Sequence, residues 1–171
     1  PFFVGDGTHT VCWRALDIAG NTAAISTACP SIAVDTTAPT VSLTTSVPVP
    51  ASGWFTTPPT VNAAANDNAG GSGVAVGGLR VSVDGGPFVV YTGALPTREG
   101  IHDYRAYAVD TAGNQSPVIE LVVKVDQSDP VVAVRLRPPQ PARAGWYRRL
   151  PTLVLRADDG DQNAGVATIS Y

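Results

Sequence analysis

Apolar and polar residues alternate over short stretches of this chain, and Gly, Pro, Asn or Asp separates each stretch from the next. Every second residue from 102 to 108 lies on one face of the predicted strand, because strand side chains alternate between the two faces. These residues are His102, Tyr104, Ala106 and Ala108. No long window has the spacing of apolar residues that is typical of an amphipathic helix. The pattern predicts an all-β fold, with strands near residues 40–45, 59–66, 79–84, 87–92, 101–110 and 117–125.

The same pattern occurs more than once along the chain. Residues 7–21 and 100–114 align without a gap, so that His9 matches His102. A sequence that repeats at a fixed period is typical of an array of small modules. A linker proline recurs at Pro39 and Pro130, and this period of 91 residues suits one β-sandwich. We therefore predict three segments: the closing strands of a first module at 1–38, a complete module at 39–129, and the opening strands of a third at 130–171.

Three motifs mark these repeats: Gly-Trp-aromatic at 53–55, Ala-x-Asp-x-Ala-Gly-Asn at 108–114, and Val-Asp-Thr-Thr-Ala-Pro at 34–39. Together they resemble the bacterial immunoglobulin-like repeats, which are fibronectin-III-like sandwiches strung along secreted enzymes, adhesins and surface proteins. The resemblance covers essentially the whole chain. It implies tandem immunoglobulin-like antiparallel β-sandwich modules, one complete and two partial, in an extracellular or cell-surface protein.

The two cysteines are placed to face each other across a turn. Cys12 and Cys29 are equidistant from the boundary between Gly20 and Asn21, where the repeat predicts that the chain turns. Two strands that fold back at this point bring the cysteines opposite one another, so we expect a cross-strand disulfide. Such a bond persists in oxidising compartments. Two unpaired buried thiols are the alternative.

The residue inventory predicts that the chain is not an enzyme. Its two histidines, His9 and His102, hold the same repeat position, whereas a catalytic histidine is needed once, beside a nucleophile or a base. We expect both to have a structural role, bonding the backbone of a neighbouring loop. The sequence has no Gly-rich phosphate loop and no metal-type cysteine cluster. The net charge of −3 is too mild to predict nucleic-acid binding, and no apolar run reaches the roughly 20 residues that span a bilayer.

No cofactor is expected, with calcium as the alternative. Carboxylate oxygens are ligands that calcium prefers, and acidic residues concentrate at the predicted linkers and in one loop. However, Gly165 in that loop comes one place late for a helix-loop-helix calcium site, and Asp in turns usually bonds its own backbone. The candidate ligands are Asp35, Asp126 and Asp129 at the linkers and Asp159 and Asp161 in the loop.

Two functions fit these features. The first is a non-catalytic structural or adhesive segment, such as a stalk, spacer or fibre, of a larger bacterial surface or secreted protein. The second is an accessory carbohydrate-binding module of a secreted hydrolase, because neighbouring aromatic residues can stack on sugars. A core position for these residues is the alternative, since the pair is repeated with the scaffold. The candidate stacking residues are Trp54 with Phe55 and Trp146 with Tyr147.

The expected partners are other modules of the same type. A partial module exposes its core face and its unpaired strand edges, so something must complete it. Neighbouring modules in the same chain and head-to-tail copies of the chain are both open, and a surface glycan is a partner under the second function. Residues 1–129 hold 5 basic and 11 acidic residues, and residues 130–171 hold 6 basic and 3 acidic. This polarity favours head-to-tail contact.

Overall fold

A computed structural model describes residues 4–137 and 145–170 of the chain. Within that part the fold is all-β, as predicted, and its strands are joined by turns and loops without a helix. None of the described residues forms a helix long and apolar enough to cross a membrane. The strands are β1 (Gly7–Thr10), β2 (Ser31–Val34), β3 (Thr40–Thr45), β4 (Thr60–Asn66), β5 (Arg80–Val83), β6 (Val89–Val90), β7 (Leu95–Pro96), β8 (Gly100–Tyr107), β9 (Ile119–Val125), β10 (Val131–Arg137) and β11 (Thr152–Asp158).

Residues 39–129, all of them described, contain the seven strands β3 to β9. These strands form a three-stranded sheet in the order β3-β4-β7 and a four-stranded sheet in the order β6-β5-β8-β9. The six predicted strands all occur, with ends that shift by a few residues. Strand β7 was not predicted, because two residues are too short to show an alternating pattern.

The core of the complete repeat draws on both sheets. Val61 in β4, Val81 in β5 and Ala106 in β8 are almost completely buried. Because β4 belongs to the three-stranded sheet and the other two strands to the four-stranded sheet, each sheet has one buried apolar face, as in a β-sandwich. The face of β8 predicted from the alternation is confirmed, since His102, Tyr104, Ala106 and Ala108 are all buried.

Contacts between Cα atoms divide the chain into two compact units. The first comprises Pro1–Thr44, Val61–Ala94 and Asp103–Leu121, and the second comprises Thr45–Thr60, Leu95–His102 and Val122–Tyr171. The division passes through residues 39–129, so the module boundaries derived from the repeat stay a prediction. Residues 1–3, 138–144 and 171 of the predicted partial modules lie outside the described part of the chain.

The hairpin turn between β5 and β6 has the backbone conformation that its sequence requires. At the hairpin between β5 and β6, Asp84 and Gly85 have φ angles of 52° and 72°, and the Gly86 N–H donates to the Val83 carbonyl at 2.9 Å. Positive φ at both central residues is typical of the Asp-Gly hairpin turn, so the local sequence accounts for this tight turn.

The turn after β1 differs slightly from the prediction. Leu16 bridges Thr22, which centres the turn on Ala19 and not on the boundary between Gly20 and Asn21. Four positions separate Cys12 from Leu16, whereas seven separate Thr22 from Cys29. The segment after the turn is therefore three residues longer than the segment before it. With this difference in length, His9 in β1 pairs with Ile32 in β2.

Candidate functional site: an acidic cluster at the predicted linker

Asp35 in the predicted linker is tied to two loops of the complete repeat. Its Oδ2 accepts a hydrogen bond from the Ser72 backbone N–H at 2.7 Å, and its backbone carbonyl accepts one from Asn114 Nδ2 at 3.1 Å. Its Oδ1 accepts a third from the Thr37 N–H at 3.2 Å. We call the bonds that Asp35 accepts from Ser72 and Asn114 the linker clamp. They connect residues 37 and 79 positions apart in sequence.

A second carboxylate, that of Asp6, bonds the two threonines of the predicted linker. Asp6 Oδ1 accepts hydrogen bonds from the backbone N–H and the hydroxyl of Thr36, both at 2.8 Å. Its Oδ2 accepts bonds from the Thr37 hydroxyl at 2.5 Å and from Asn68 Nδ2 at 3.4 Å. Both threonines of the Asp-Thr-Thr-Ala-Pro linker are thus bonded to Asp6, although both are exposed.

The linker clamp brings three carboxylates together. Oxygen atoms of Asp35, Asp67 and Asp110 all lie within 4.8 Å of one another. Asp110 is only 2% exposed, whereas the other two are half-buried. Like charges at this separation repel one another, so the cluster needs nearby donors to persist.

Hydrogen-bond donors of the protein meet this need. Asp67 accepts from the N–H groups of Asn68 at 3.0 Å and Gly73 at 2.7 Å. Asp110 accepts from the N–H groups of Gly113 and Asn114 at 2.7 Å, and from Asn114 Nδ2 at 2.8 Å. With the bonds to Asp35, each of the six carboxylate oxygens has an N–H donor, as loop-closing aspartates commonly do.

The hydrogen bonds favour the ionised form of the linker carboxylates. Ser72, through its side chain and its backbone N–H, lowers the pKa of Asp35 below the ordinary value of 3.8. The Thr37 hydroxyl, followed by the hydroxyl and N–H of Thr36, lowers the pKa of Asp6 in the same way. A donor that bonds the charged form stabilises it relative to the neutral acid.

The next junction repeats part of this arrangement. Asp126 Oδ2 accepts from the Ala164 N–H at 2.8 Å, as Asp35 does from Ser72, and Asp126 Oδ1 accepts from the Ser128 N–H at 3.1 Å. Asp159 Oδ2 accepts from the Gly165 N–H at 2.8 Å, as Asp67 does from Gly73. Corresponding residues of the repeat therefore make corresponding bonds.

The acidic cluster contains one of the five predicted calcium ligands, Asp35. Asp126 and Asp159 bond loop backbone at the next junction, and Asp129 and Asp161 are exposed. The sequence interpretation missed Asp67 and Asp110, although each aligns with an aspartate of another repeat. Calcium takes six to eight oxygen ligands, so three carboxylates supply part of a shell, and calcium binding stays a prediction.

The predicted disulfide is present. Cys12 and Cys29 are bonded, with their Cα atoms 4.7 Å apart, and no free cysteine remains. Cys12 is exposed and occupies the repeat position of Arg105, whose side chain pairs with Asp103 and Glu120 at 2.8 and 3.3 Å. The disulfide thus replaces a surface ion pair on the outer side of the strand.

The histidines bond loop backbone in both copies. His9 Nε2 lies 2.7 Å from the Gly5 carbonyl oxygen, and His102 Nε2 lies 3.1 Å from the Glu99 carbonyl oxygen. A carbonyl only accepts, so Nε2 carries the proton in each ring. This geometry agrees with the structural role expected from the repeat.

The four candidate stacking residues have different surroundings. Phe55 is buried, and Trp54 is half-buried with Lys124 Nζ 5.7 Å from its ring centroid, a cation–π distance. Trp146 is 79% exposed, and together with Tyr147 it lines an open cleft of about 550 Å³. Glycan stacking stays a prediction for all four residues.

A second cleft lies beside the linker clamp, lined by Val34, Asp35, Gly71 and Ser72 among others. Its volume is about 200 Å³, below the roughly 300–1,000 Å³ of small-molecule pockets. The junction thus offers hydrogen bonds between segments more than it offers room for a ligand.

Comparison with known proteins finds no match to this chain. No family model, no curated protein and no solved structure matches the chain.

Proposed function

We propose that this chain is a non-catalytic, extracellular structural segment, a stalk, spacer or fibre, of a larger bacterial surface or secreted protein. The observation that carries the proposal is the linker clamp together with its counterpart at Asp126. A spacer needs junctions that resist bending, and carboxylates that bond the backbone of the adjoining loops supply such resistance. The function is therefore assigned to the junctions and not to a pocket.

Two further features support the immunoglobulin-like part of this proposal. Seven antiparallel strands in sheets of three and four, within a 91-residue period, match the size and layering of sandwich modules of this kind. The Cys12–Cys29 disulfide is consistent with an oxidising, extracytoplasmic setting.

Nuclear magnetic resonance relaxation tests the stiffness of the junction. In the wild-type chain, the amides of β1 and those of β5 should report the same rotational correlation time. Asp35→Ala removes the side-chain bond to Ser72, so the amides of β1 should then report a shorter correlation time than those of β5. Asp129→Ala, an exposed linker aspartate, is the matched control and should leave both values unchanged.

Two results of the relaxation experiment would contradict these expectations. If β1 tumbles independently of β5 in the wild-type chain, the junction is flexible and the spacer proposal fails. If Asp35→Ala and Asp129→Ala behave alike, the bond between the Asp35 side chain and Ser72 is not what stiffens the junction.

The second candidate function is an accessory carbohydrate-binding module, favoured by the exposure of Trp146 beside the open cleft. Glycan-array screening of the 171-residue chain tests it, with Trp146→Ala as the variant and Trp54→Ala as the matched control. Binding that is lost in Trp146→Ala and kept in Trp54→Ala supports the module, whereas the absence of glycan binding in the wild-type chain excludes it.

A further inference from the structure

One face of the two-stranded sheet β10–β11 is rich in arginine. Three neighbouring cross-strand pairs lie on this face, and they are Ala133–Arg156, Arg135–Val154 and Arg137–Thr152. Each pair contains one arginine, and all three arginines are exposed. We call Arg135, Arg137 and Arg156 the arginine face.

The complete repeat shows that this side of the sheet faces solvent. Counted from the matching prolines of the two repeats, the counterparts of the arginine face are Thr44, Ser46 and Ala64. All three are exposed, although Val61, on the opposite face of β4, is 0% exposed in the core. The arginine face is therefore on the outer side of its sheet, and its exposure does not depend on what packs against the inner side.

The arginine face has no anionic partner within the described part of the chain. No described carboxylate forms an ion pair with any of its three residues. Asp158 is the one acidic residue of β10 and β11 on this side. It lies opposite Val131, away from Arg135 and Arg137, and its Oδ1 accepts a hydrogen bond from the Gly160 N–H at 3.1 Å. Neighbouring cations repel one another, so a bound anion stabilises this surface.

We propose that the arginine face binds a linear acidic polysaccharide, a polymer that carries carboxylates on its repeating sugars. Pairs on one face of a sheet follow one another at about 7 Å along the strands, so the three arginines extend over about 14 Å. A guanidinium binds a carboxylate through two parallel hydrogen bonds. A row of such groups at regular steps matches a polymer with repeated anions better than it matches one small anion.

The composition of this surface favours a polysaccharide over a single-stranded nucleic acid. Proteins that bind single-stranded nucleic acid combine basic residues with aromatic side chains on which bases stack. None of the other outward positions of β10 and β11 is aromatic, and these are Val131, Ala133, Thr152, Val154 and Asp158. The choice of a polysaccharide also rests on the proposed function, because an extracellular segment meets the polymers of the cell surface.

The charge distribution along the chain directs a polyanion to this segment. Residues 1–129 hold 5 basic and 11 acidic residues, whereas residues 130–171 hold 6 basic and 3 acidic. The first segment repels a polyanion and the second attracts it. Binding should therefore depend on residues 130–171.

Isothermal titration calorimetry with alginate, a linear polymer of uronic acids, tests the inference in calcium-free buffer. The triple variant Arg135→Thr with Arg137→Ser and Arg156→Ala introduces the residues that the complete repeat has at these positions. We expect it to bind alginate about tenfold more weakly than the wild type, because three exposed ion pairs are lost. Wild-type binding should also weaken as sodium chloride is added, since salt screens exposed charges.

Two single variants separate the arginine face from a general effect of charge. Arg135→Thr and its matched control Arg14→Thr each remove one exposed arginine, so they change the net charge equally. Arg135→Thr should weaken binding, whereas Arg14→Thr should bind as the wild type does. Arg135→Lys keeps the charge without the planar guanidinium, so its affinity should lie between those of the wild type and Arg135→Thr. Far-ultraviolet circular dichroism identical to the wild type shows that the variants are folded.

Three results overturn the inference. They are a wild-type chain that does not bind alginate, a triple variant that binds it as tightly as the wild type, and a wild-type chain that binds single-stranded oligothymidylate more tightly than alginate. The third result would make a nucleic acid the preferred partner. None of these results changes the relaxation test of the junction, so failure of this inference is distinguishable from failure of the spacer proposal.

Discussion

His102 makes a hydrogen bond that fits the structural role expected from its repeat position. It is buried at the start of β8, and its Nε2 bonds the Glu99 carbonyl oxygen. His102→Ala removes the hydrogen bond that this buried side chain makes, so we expect the free energy of unfolding to fall by about 1–2 kcal/mol. His9→Ala is the matched control, because His9 makes the same kind of bond in an exposed setting and should cost less. Urea denaturation measures the free energy of unfolding of both variants. An equal decrease in the two would contradict the expectation that the buried bond of His102 contributes more.

The pKa of Asp35 makes the stability of the junction dependent on pH. Its folded pKa is lowered below 3.8 by the hydrogen bonds from Ser72, whereas an unfolded Asp titrates near 3.9. Folding therefore favours the ionised carboxylate, and the stabilisation is fully present above about pH 4 and is lost as the pH falls through the folded pKa.

Carboxyl carbon-13 titration by nuclear magnetic resonance checks this prediction. Asp35 should titrate with a midpoint below 3.8 in the wild-type chain, and Ser72→Ala should raise that midpoint because it removes the leading cause of the shift. A wild-type midpoint at or above 3.8 would contradict the hydrogen-bond assignment.

The sequence indicated part of the junction at the level of single residues. Asp35 was singled out by the sequence as an acidic residue of the linker motif, because that motif is local. Asp67 and Asp110 were not assigned to the same site, since the three residues are separated by 32 and 43 positions and no local pattern shows that they meet. A comparison of aspartates between aligned repeats is the one sequence signal that singles them out.

At the scale of elements, the disulfide holds the hairpin that contains β1 and β2. The sequence separation of 17 between Cys12 and Cys29 corresponds to a stabilisation of about 3 kcal/mol in the loop-entropy account. The double variant Cys12→Ser with Cys29→Ser should therefore lower the stability of this hairpin by roughly that amount. Hydrogen exchange of the amides in β1 measures the loss, and unchanged protection would contradict it. Alkylation without reductant should label no cysteine in the wild-type chain.

Gly78, in the loop before β5, is required by a close approach of backbone. A Cβ at this position would lie 2.3 Å from the Val109 carbonyl oxygen and 2.8 Å from that of Ala75. The loop is fixed there by the bond from Ala75 N–H to the Val109 carbonyl at 2.9 Å, so it cannot yield freely. Gly78→Ala should thus destabilise the protein by about 1–3 kcal/mol, the usual cost of overpacking.

Gly5→Ala is the matched control for this substitution. A Cβ at Gly5 has no atom within 4 Å, so stability should be nearly unchanged. Thermal unfolding of the two variants compares them, and a Gly78→Ala variant as stable as Gly5→Ala would show that the loop has room to move.

At the scale of the whole molecule, burial is distributed unevenly. Strands β4, β5, β8 and β9 supply most of the buried residues, whereas β10 is exposed throughout. Because an isolated two-stranded sheet is marginally stable in water, the amides of β10 and β11 should exchange with solvent fastest in dilute solution. Hydrogen–deuterium exchange by mass spectrometry tests this order, and equal protection of β10 and β8 would contradict it.

The sequence by itself determined the local features of this protein. Alternation of polar and apolar residues specifies strands over a few positions, Asp-Gly specifies a tight hairpin turn, and the positions of Cys12 and Cys29 on either side of one turn predicted their disulfide. Tertiary structure decided the rest. The short strand β7, the order of strands in each sheet and the meeting of Asp35 with Asp67 and Asp110 depend on contacts between distant segments, and such contacts form only when the sheets bury their apolar faces.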